Sequence, residues 1–269
     1  MLECTSESIP RHPRPSCTGR KRMSFGSEYA GHSKWSATES WYIRHFGVLD
    51  LPSRLRARTI LKELSRLPGN TFLDVGSGTG IYSFYLSRHY LNNVWGVDID
   101  AQRIRECSRM VASLVRDNVG FCLGSGDTGL KVFQSESFDV VLAVEVLQYV
   151  PDVSVALREA RRVLKPGGVL VGHIPMLGYL RDTEQNLFSD QNVPDLLKCT
   201  GFEIVSLIST FGGYIRRLCR IFEWATHHRI VLAMIFPILL AVSRIFSIAS
   251  PDGNYRLFVA RKPLSHEAP

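Results

Sequence analysis

The sequence predicts an α/β fold in which helices cover a doubly wound sheet. Predicted strands and helices alternate from residue 71 onward, which is the pattern of such a sheet. The first apolar run, 71–75, leads through three closely spaced glycines into a helical pattern that begins at Ile81. The second apolar run ends in an acidic residue, Asp98. A strand, a tight turn and a helix N-terminus in this order bring backbone N–H groups together around a ligand.

Capping and turn residues mark the boundaries of several predicted elements. Asp152 or Ser154 is suited to begin the fourth helix, and Pro166 with Gly167 ends it. Gly201 closes the helix before the sixth strand. Strands are predicted at residues 71–75, 94–98, 119–123, 138–143, 168–174, 202–209 and 255–261. Helices are predicted at residues 53–66, 79–90, 101–116, 153–164 and 190–200.

The glycine-rich turn and the two acidic residues around it indicate the kind of ligand. Gly76, Gly78 and Gly80 lack a Cβ atom, so the backbone can approach a bound molecule closely. Asp98, at the end of the second strand, is placed to accept hydrogen bonds from both hydroxyls of a ribose. The glycine spacing is not that of a dinucleotide site, and Asp74 before the turn suits an ammonium group rather than a pyrophosphate. We expect an adenosine-containing ligand.

With its later motifs included, the chain resembles the class I S-adenosylmethionine-dependent methyltransferases over about residues 61–205. These motifs are Gly126-Asp127 after the third apolar run, residues 137–141 at the start of the fourth strand and residues 164–170, which lead into the fifth. The group that it resembles includes the ubiquinone and menaquinone methyltransferases. The resemblance implies a Rossmann-like, seven-stranded sheet in the order 3-2-1-4-5-7-6, with strand 7 antiparallel.

The resemblance also implies a binding site for S-adenosylmethionine and for its product, S-adenosylhomocysteine. The glycine loop would surround the methionine portion, and Asp74 would support its ammonium group. Asp98 would bind the ribose hydroxyls with Ile99 against the adenine, whose exocyclic amine would donate to Asp127. Glu145 would lie near the reacting methyl group. The residues expected to bind the cofactor are Asp74, Gly76, Gly78, Gly80, Asp98, Ile99, Gly126, Asp127 and Glu145.

The sequence leaves the methyl acceptor and the general base open. It contains neither an Asn-Pro-Pro-Tyr motif nor a Pro-Cys nucleophile, which disfavours amino-group methylation of bases and methylation of cytosine C5. Many relatives carry a histidine where this chain has Gln148. The two candidate catalytic residues are Glu145 and His173, because a carboxylate or an imidazole can remove a proton. His173 is equally compatible with a structural, hydrogen-bonded role.

Charge and cysteine usage limit the possible partners and cofactors. The net charge is +7, but residues 1–22 hold five Lys and Arg against two Glu, and residues 211–253 hold five Arg against two acidic residues. The remaining chain is nearly neutral, so no nucleic-acid partner is expected. Six scattered cysteines without a C-x-x-C pair predict no metal site and a reducing, cytoplasmic environment.

We predict a disordered basic tail over residues 1–24 and a methyltransferase domain over residues 25–269. Residues 25–66 would form an N-terminal cap over the cofactor and acceptor pocket, as in related enzymes. Residues 211–253 would form a helical, hydrophobic insertion between strands 6 and 7.

The predicted insertion combines an amphipathic helix with an apolar run. Apolar residues recur there at spacings of three and four, opposite Arg216, Arg217 and Arg220. Residues 230–243 carry no charge, but this run is shorter than a membrane-spanning helix. A single span would also leave the seventh strand on the wrong side of a membrane. The insertion would therefore contact an anionic membrane surface or, alternatively, act as an intramolecular lid or dimer face.

These observations predict methyl transfer to the oxygen, carbon or nitrogen of a small, amphipathic or lipid-linked acceptor. The enzyme would be cytoplasmic and peripheral at the cytoplasmic membrane. Two alternatives stay open: a methyltransferase that acts on RNA or protein, and a non-catalytic, cofactor-binding scaffold docked at the membrane.

Overall fold

The computed structural model describes residues 41, 43–44, 51–89, 93–114, 117–176, 186, 188–226, 238, 241 and 248–264. The helices in these ranges are α1 (Leu51–Leu64), α2 (Ile81–His89), α3 (Ala101–Leu114), α4 (Val153–Val163), α5 (Asn192–Cys199) and α6 (Gly213–Thr226). The strands are β1 (Thr71–Val75), β2 (Asn93–Asp98), β3 (Val119–Leu123), β4 (Phe138–Val144), β5 (Leu164–Pro175), β6 (Glu203–Thr210) and β7 (Tyr255–Arg261). Short 3₁₀ turns at Gly129–Val132 and Leu147–Tyr149 follow β3 and β4.

The seven strands form one sheet in the order β3-β2-β1-β4-β5-β7-β6, in which β7 is antiparallel. The first five strands pair in parallel, with Val75 opposite both Val97 and Ala143. The predicted α/β class, strand order and direction of strand 7 are therefore confirmed. Because parallel strands place their carboxyl ends at one edge, the segments that follow β1 to β5 meet there.

The fifth strand begins earlier than the sequence predicts. Pro166 and Gly167 were expected to separate a helix from a strand, but β5 starts at Leu164, directly after α4 ends. Phe138 pairs with Leu164 and Val140 with Val169, so four residues of β5 lie opposite Asp139 alone. This is an extended bulge, and Gly167 adopts a positive φ of 76° within it.

Asp139 joins the amino ends of three strands at this bulge. One carboxylate oxygen accepts hydrogen bonds from the Asn70 N–H (2.9 Å), the Thr71 N–H (3.0 Å) and the Thr71 hydroxyl (2.8 Å). The other accepts from Lys165 Nζ at 2.7 Å. Partial burial raises the pKa of Asp139, but the Lys165 ammonium and the donors of Asn70 and Thr71 outweigh it and hold the pKa below its usual value. The carboxylate thus stabilises the edge of the sheet opposite the glycine-rich turn.

The chain divides into two compact units. Unit 1 comprises Met1–Lys21, Leu67–Leu207 and Arg256–Pro269, and unit 2 comprises Arg22–Arg66 and Ile208–Tyr255. The core of unit 1 is built from strand and helix residues that are fully buried, among them Leu73, Val141, Leu157, Val163 and Leu170. All the residues that the sequence assigns to the cofactor lie in unit 1.

Unit 2 contains the beginning and the end of the predicted insertion. Thr210 forms an antiparallel bridge with Ala249, and the Phe211 N–H donates to the Ile248 carbonyl at 2.9 Å. The Gly213 N–H at the start of α6 donates to Asp252 at 2.9 Å, so this carboxylate caps the helix. A second apolar cluster fills the unit; its buried members are Leu51, Leu55, Phe211, Ile215, Phe222 and Ile248.

Several predicted segments fall on residues that the structure does not describe. They are the basic tail (1–24), most of the predicted cap before residue 51 and most of the apolar run at 230–243. Within the described ranges, no helix has both the length and the apolar character needed to cross a membrane.

Candidate cofactor and acceptor site

The glycine-rich turn connects β1 to α2 at the carboxyl edge of the sheet. Gly76, Gly78 and Gly80 have φ angles of 69°, 56° and 74°, a region that favours glycine. A Cβ atom on Gly76 would overlap Val146, and one on Gly80 would lie 2.7 Å from the Phe121 ring. Packing and conformation therefore both require glycine here, and the predicted turn is present.

Asp98 fixes this turn from the end of the neighbouring strand. One of its carboxylate oxygens accepts a hydrogen bond from the Gly78 N–H at 2.7 Å, and the other accepts from the Asp100 N–H at 2.9 Å. The Gly76 and Ser77 N–H groups donate to the Val97 carbonyl at 2.8 and 2.9 Å. Each carboxylate oxygen has a second lone pair, so Asp98 can still accept from a ligand hydroxyl.

Asp74 lies near the end of β1, shortly before the glycine-rich turn. Its side chain is buried, and it accepts a hydrogen bond from the Ser83 hydroxyl of α2 at 2.6 Å. Burial raises its pKa from the ordinary aspartate value of 3.8 to about 7, although the Ser83 hydroxyl partly opposes this rise. Asp74 therefore holds the turn against α2, and it changes charge near neutral pH.

The loop after β3 presents the third acidic residue. Asp127 accepts hydrogen bonds from the Ser125 hydroxyl and from the Thr128 N–H (2.8 Å), both at the same carboxylate oxygen. The Ser125 hydrogen bond is the main reason that the pKa of Asp127 lies below its usual value, so the group is a carboxylate at neutral pH. Within the described part of the chain its other oxygen has no hydrogen bond and can accept one from a ligand.

Ile99 and Gly126 complete the set proposed around the adenine. Ile99 follows Asp98 directly and is 77% exposed, an unusual position for an isoleucine beside a buried strand end. Gly126 is buried, and a Cβ atom there would lie 3.2 Å from both Val75 and Val150. An exposed apolar side chain and a backbone without a side chain can together enclose a flat ring.

Glu145 and His173 form a pair between β4 and β5. His173 Nδ1 lies 2.7 Å from a carboxylate oxygen of Glu145, and the Glu145 N–H donates to the His173 carbonyl at 2.8 Å. The His173 side chain is fully buried, whereas the Glu145 side chain is 25% exposed. Glu145 also has a positive φ of 55°, a conformation that costs energy outside glycine. Of the two candidate bases, Glu145 is therefore the one that a ligand can reach.

The structure thus brings the predicted site residues to one edge of the sheet and adds partners that the sequence did not reveal. Ser83 was missed because a serine inside a helix carries no signal of its partner. Ser125 and Thr128 flank Asp127 in a turn-like sequence, which could have suggested a self-bonded loop. No cluster of three or more His, Cys, Asp or Glu side chains that could hold a metal ion occurs among the described residues.

Comparison with known proteins identifies related sequences over this site. A family model described as a methyltransferase domain matches residues 73–172. The 2-methyl-6-phytyl-1,4-hydroquinone methyltransferase of Synechocystis sp. is 38% identical over 104 residues, which are 39% of this chain and 31% of that protein. The ubiquinone biosynthesis O-methyltransferase of Paramagnetospirillum magneticum is 40% identical over 105 residues, which are 39% of this chain and 40% of that protein. The matched region therefore spans less than half the length of either relative.

A solved structure extends the likeness of the fold beyond the matched segment. Phosphoethanolamine N-methyltransferase 2 of Haemonchus contortus superposes with a TM-score of 0.62 at 18% identity. The superposition covers 89% of this chain and 61% of that one. At this identity the likeness concerns the fold alone.

The raised pKa of Asp74 predicts a measurable pH dependence of stability. The folded chain binds a proton at this carboxyl more tightly than the unfolded chain, in which the aspartate pKa is near its ordinary value of 3.8. The contribution of Asp74 to the free energy of unfolding should therefore fall as the pH rises from about 4 to about 7. Asp74→Asn cannot ionise, so it should be more stable than the wild type at pH 8, by roughly 1–4 kcal/mol.

Urea denaturation of both proteins at pH 4.5, 6 and 8 measures this difference. The advantage of the variant should shrink towards pH 4.5, because the wild-type carboxyl is then protonated when folded. Asp100→Asn is the matched control, since Asp100 is an acid two residues after Asp98 that caps α3 through the Gln102 N–H at 2.8 Å. A constant difference between Asp74→Asn and the wild type across the three pH values would contradict the raised pKa.

Proposed function

We propose that this chain, which belongs to the class I S-adenosylmethionine-dependent methyltransferase family, transfers a methyl group from S-adenosylmethionine to a small, lipid-like acceptor. The observation that carries the proposal is the hydrogen bond between the Gly78 N–H and Asp98. It holds the glycine turn beside a carboxylate suited to a ribose, in the segment that matches the methyltransferase model.

The residues at this edge of the sheet fit S-adenosylmethionine. The Ser77 hydroxyl in the glycine turn is buried and has no hydrogen-bond partner in the described structure, so a polar ligand atom can satisfy it. Asp98 and Asp127 each keep acceptor capacity for the ribose and the adenine amine. The Asp74 carboxyl, with its pKa near 7, would become charged opposite the ammonium group.

The cofactor supplies a methyl group already activated by its sulfonium, so the protein's own residues must align the acceptor, exclude water and receive a proton where one is released. Glu145 is suited to receive that proton because its carboxylate is partly exposed next to the turn after β4. His173, buried behind it at 2.7 Å, would position the carboxylate and share the proton. The candidate catalytic residue is thus Glu145, and His173 is a positioning residue.

The names of both relatives support an aromatic, lipid-like acceptor for this chain. One is named for a phytyl hydroquinone and the other for ubiquinone biosynthesis, and they are 38% and 40% identical to this chain over 104 and 105 residues. We therefore propose a hydroxylated aromatic ring with an apolar substituent as the acceptor. RNA is disfavoured because unit 1, which holds the site, carries 19 Lys and Arg against 19 Asp and Glu.

The net positive charge is concentrated in unit 2, which supports contact with an anionic membrane. Its residues include 13 Lys and Arg against 6 Asp and Glu, so the whole excess of +7 lies there. On α6, Arg217 and Arg220 are exposed on the same face as Ile221 and Trp224, which are 52% and 58% exposed. Basic side chains beside exposed tryptophan and isoleucine suit the headgroup region of an anionic bilayer.

The structure separates Arg216 from this face, to which the sequence assigned it. Arg216 is half-buried and lies near Asp252. The pKa of Asp252 is lowered mainly by the Ser250 hydroxyl and the Gly213 N–H, and also by the charge of Arg216. The proposed membrane face is therefore Arg217, Arg220, Ile221 and Trp224, and we propose a cytoplasmic enzyme that is peripheral at the cytoplasmic membrane.

Cofactor binding and methyl transfer test the proposed activity directly. Titration calorimetry should detect micromolar binding of S-adenosylmethionine and S-adenosylhomocysteine to the wild type. Asp98→Asn should weaken both by roughly 10- to 150-fold, because it loses about 1.5–3 kcal/mol of hydrogen bonding to a charged group. Asp100→Asn is the control and should bind normally. Transfer of a radiolabelled methyl group to phytyl hydroquinone, to RNA and to protein then separates the possible acceptors.

If the wild type binds neither S-adenosylmethionine nor S-adenosylhomocysteine, the proposed enzymatic activity is contradicted and a scaffold without cofactor is favoured. Binding without transfer to any acceptor would favour the cofactor-binding scaffold.

Steady-state kinetics test the role of Glu145. Glu145→Gln keeps the size of the side chain but cannot receive a proton, so kcat should fall by about 100-fold or more. Affinity for S-adenosylhomocysteine should change little, because the proposed cofactor contacts lie mainly on other residues. An unchanged kcat would show that the acceptor loses its proton without Glu145.

Flotation with vesicles tests the membrane face. Arg217→Glu/Arg220→Glu should bind phosphatidylglycerol vesicles at least 10-fold more weakly than the wild type, because each basic side chain near such a surface contributes about 1 kcal/mol. High salt should have a similar effect on the wild type, because it screens the surface charge. Trp224→Ala should weaken binding at any salt concentration.

Arg105→Glu/Arg109→Glu is the matched control, since these two exposed arginines are also one helical turn apart but lie on α3 in unit 1. The two double variants have the same net charge. If both lose vesicle binding equally, the attraction depends on overall charge, and α6 is not a specific docking face.

A further inference from the structure

The side chain of Gln148 is an anomaly in the core of unit 1. It is 1% exposed, and its Oε1 atom has no hydrogen-bond partner in the described structure. Removing an amide from water without a replacement hydrogen bond destabilises the folded protein. Buried polar atoms nearly always have a hydrogen-bond partner. We therefore expect the Gln148 Oε1 atom to have a partner outside the protein chain.

Gln148 belongs to a backbone turn that lies between the two proposed cofactor loops. It belongs to the 3₁₀ turn Leu147–Tyr149, three residues after Glu145. On one side of the turn, Val146 packs directly against Gly76 of the glycine turn. On the other side, Val150 lies where a Cβ atom on Gly126 would be 3.2 Å away. The turn thus fills the space between the loops proposed for the methionine portion and for the adenine.

Asn186 holds the backbone of this turn in place. Its side-chain amide donates to the carbonyls of Leu147 (3.2 Å) and Val150 (2.6 Å), and its N–H donates to the carbonyl of Gln148 (3.2 Å). The carbonyls of Leu147, Gln148 and Val150 are therefore satisfied, whereas the Gln148 side-chain oxygen has no partner in the described structure. A fixed backbone with an unsatisfied side-chain acceptor is an arrangement preorganised to bind a donor.

We propose that Gln148 binds the methyl acceptor by accepting a hydrogen bond at Oε1 from a hydroxyl group on its aromatic ring; this rests on the function proposed above. The cofactor donors already have Asp98 and Asp127 as carboxylate acceptors on other loops, so the remaining donor belongs to the second substrate. A glutamine amide cannot take up a proton, so Gln148 orients the hydroxyl while Glu145, one turn earlier, remains the group that can remove a proton. The acceptor class is thus a phenol or hydroquinone, whose hydroxyl group can donate to a neutral amide oxygen.

Gln148→Leu separates a binding role from a structural one. Leucine is apolar and of similar size, so the folded protein without substrate should be at least as stable as the wild type in urea denaturation. Affinity for S-adenosylhomocysteine should be unchanged. A Gln148 that serves only the fold would instead leave a less stable variant, and that result would overturn the proposal.

Ligand discrimination provides the second readout. The probes are 2-methyl-6-phytyl-1,4-hydroquinone and its dimethyl ether, measured by thermal shift with S-adenosylhomocysteine present. The wild type should bind the hydroquinone about 10-fold more tightly than the ether, because the ether has no hydroxyl to donate. Gln148→Leu should bind both equally. Gln191→Leu is the matched control, since Gln191 is exposed at the start of α5 and makes no capping bond.

The outcomes distinguish this proposal from the function on which it rests. A wild type that does not bind S-adenosylhomocysteine contradicts the proposed function. A wild type that binds S-adenosylhomocysteine but does not discriminate between the two probes contradicts the role of Gln148 alone. If Gln148→Leu still binds the hydroquinone more tightly than the ether, that result also contradicts the role of Gln148.

Discussion

The hydrogen bond from the Gly78 N–H to Asp98, 2.7 Å long, is the contact on which the organisation of the site depends. It ties the turn after β1 to the end of β2, so the positive φ angles of three glycines are held in one arrangement. That arrangement leaves room for Val146 against Gly76 and thereby sets the position of the turn after β4. The glycine-rich turn and the turn after Glu145 therefore pack directly against each other. A side chain on Gly76 would displace both turns.

The sequence predicts a residue's role when that role depends on its neighbours in the chain. It does not predict a role that depends on tertiary packing. The glycine turn, Asp98 and the alternation of strands and helices follow from spacing and periodicity, and the structure agrees with them. The partner of Asp74 could not be inferred, because Ser83 meets it only when α2 packs on β1. Pro166 and Gly167 suit both a helix stop and the bulge opposite Asp139, so the sequence does not distinguish these two structures. The sequence places Arg216 with Arg217 and Arg220, but Arg216 is half-buried near Asp252, a residue distant in sequence.

The distribution of charge gives the two units different physical properties. Unit 1 has no net charge, which suits the binding of a cofactor and a weakly polar acceptor without attraction for polyanions. Unit 2 carries the whole excess of +7 together with exposed isoleucine and tryptophan side chains on α6. An acceptor with a long apolar chain partitions into membranes, so a surface that concentrates the enzyme there would raise the local acceptor concentration.

The site also contains groups that the fold alone would not favour. Asp74 is a buried carboxyl with a raised pKa and Glu145 has a positive φ. In the part of the chain that the structure describes, the side-chain oxygens of Ser77 and Gln148 are buried without hydrogen-bond partners. Each of these costs free energy in the folded chain, and all four lie at the carboxyl edge of the sheet. At the opposite edge, Asp139 has three donor residues and its pKa is lowered. Unpartnered oxygens in the glycine turn and in the turn after Glu145 are what is expected when the missing partners are atoms of bound substrates.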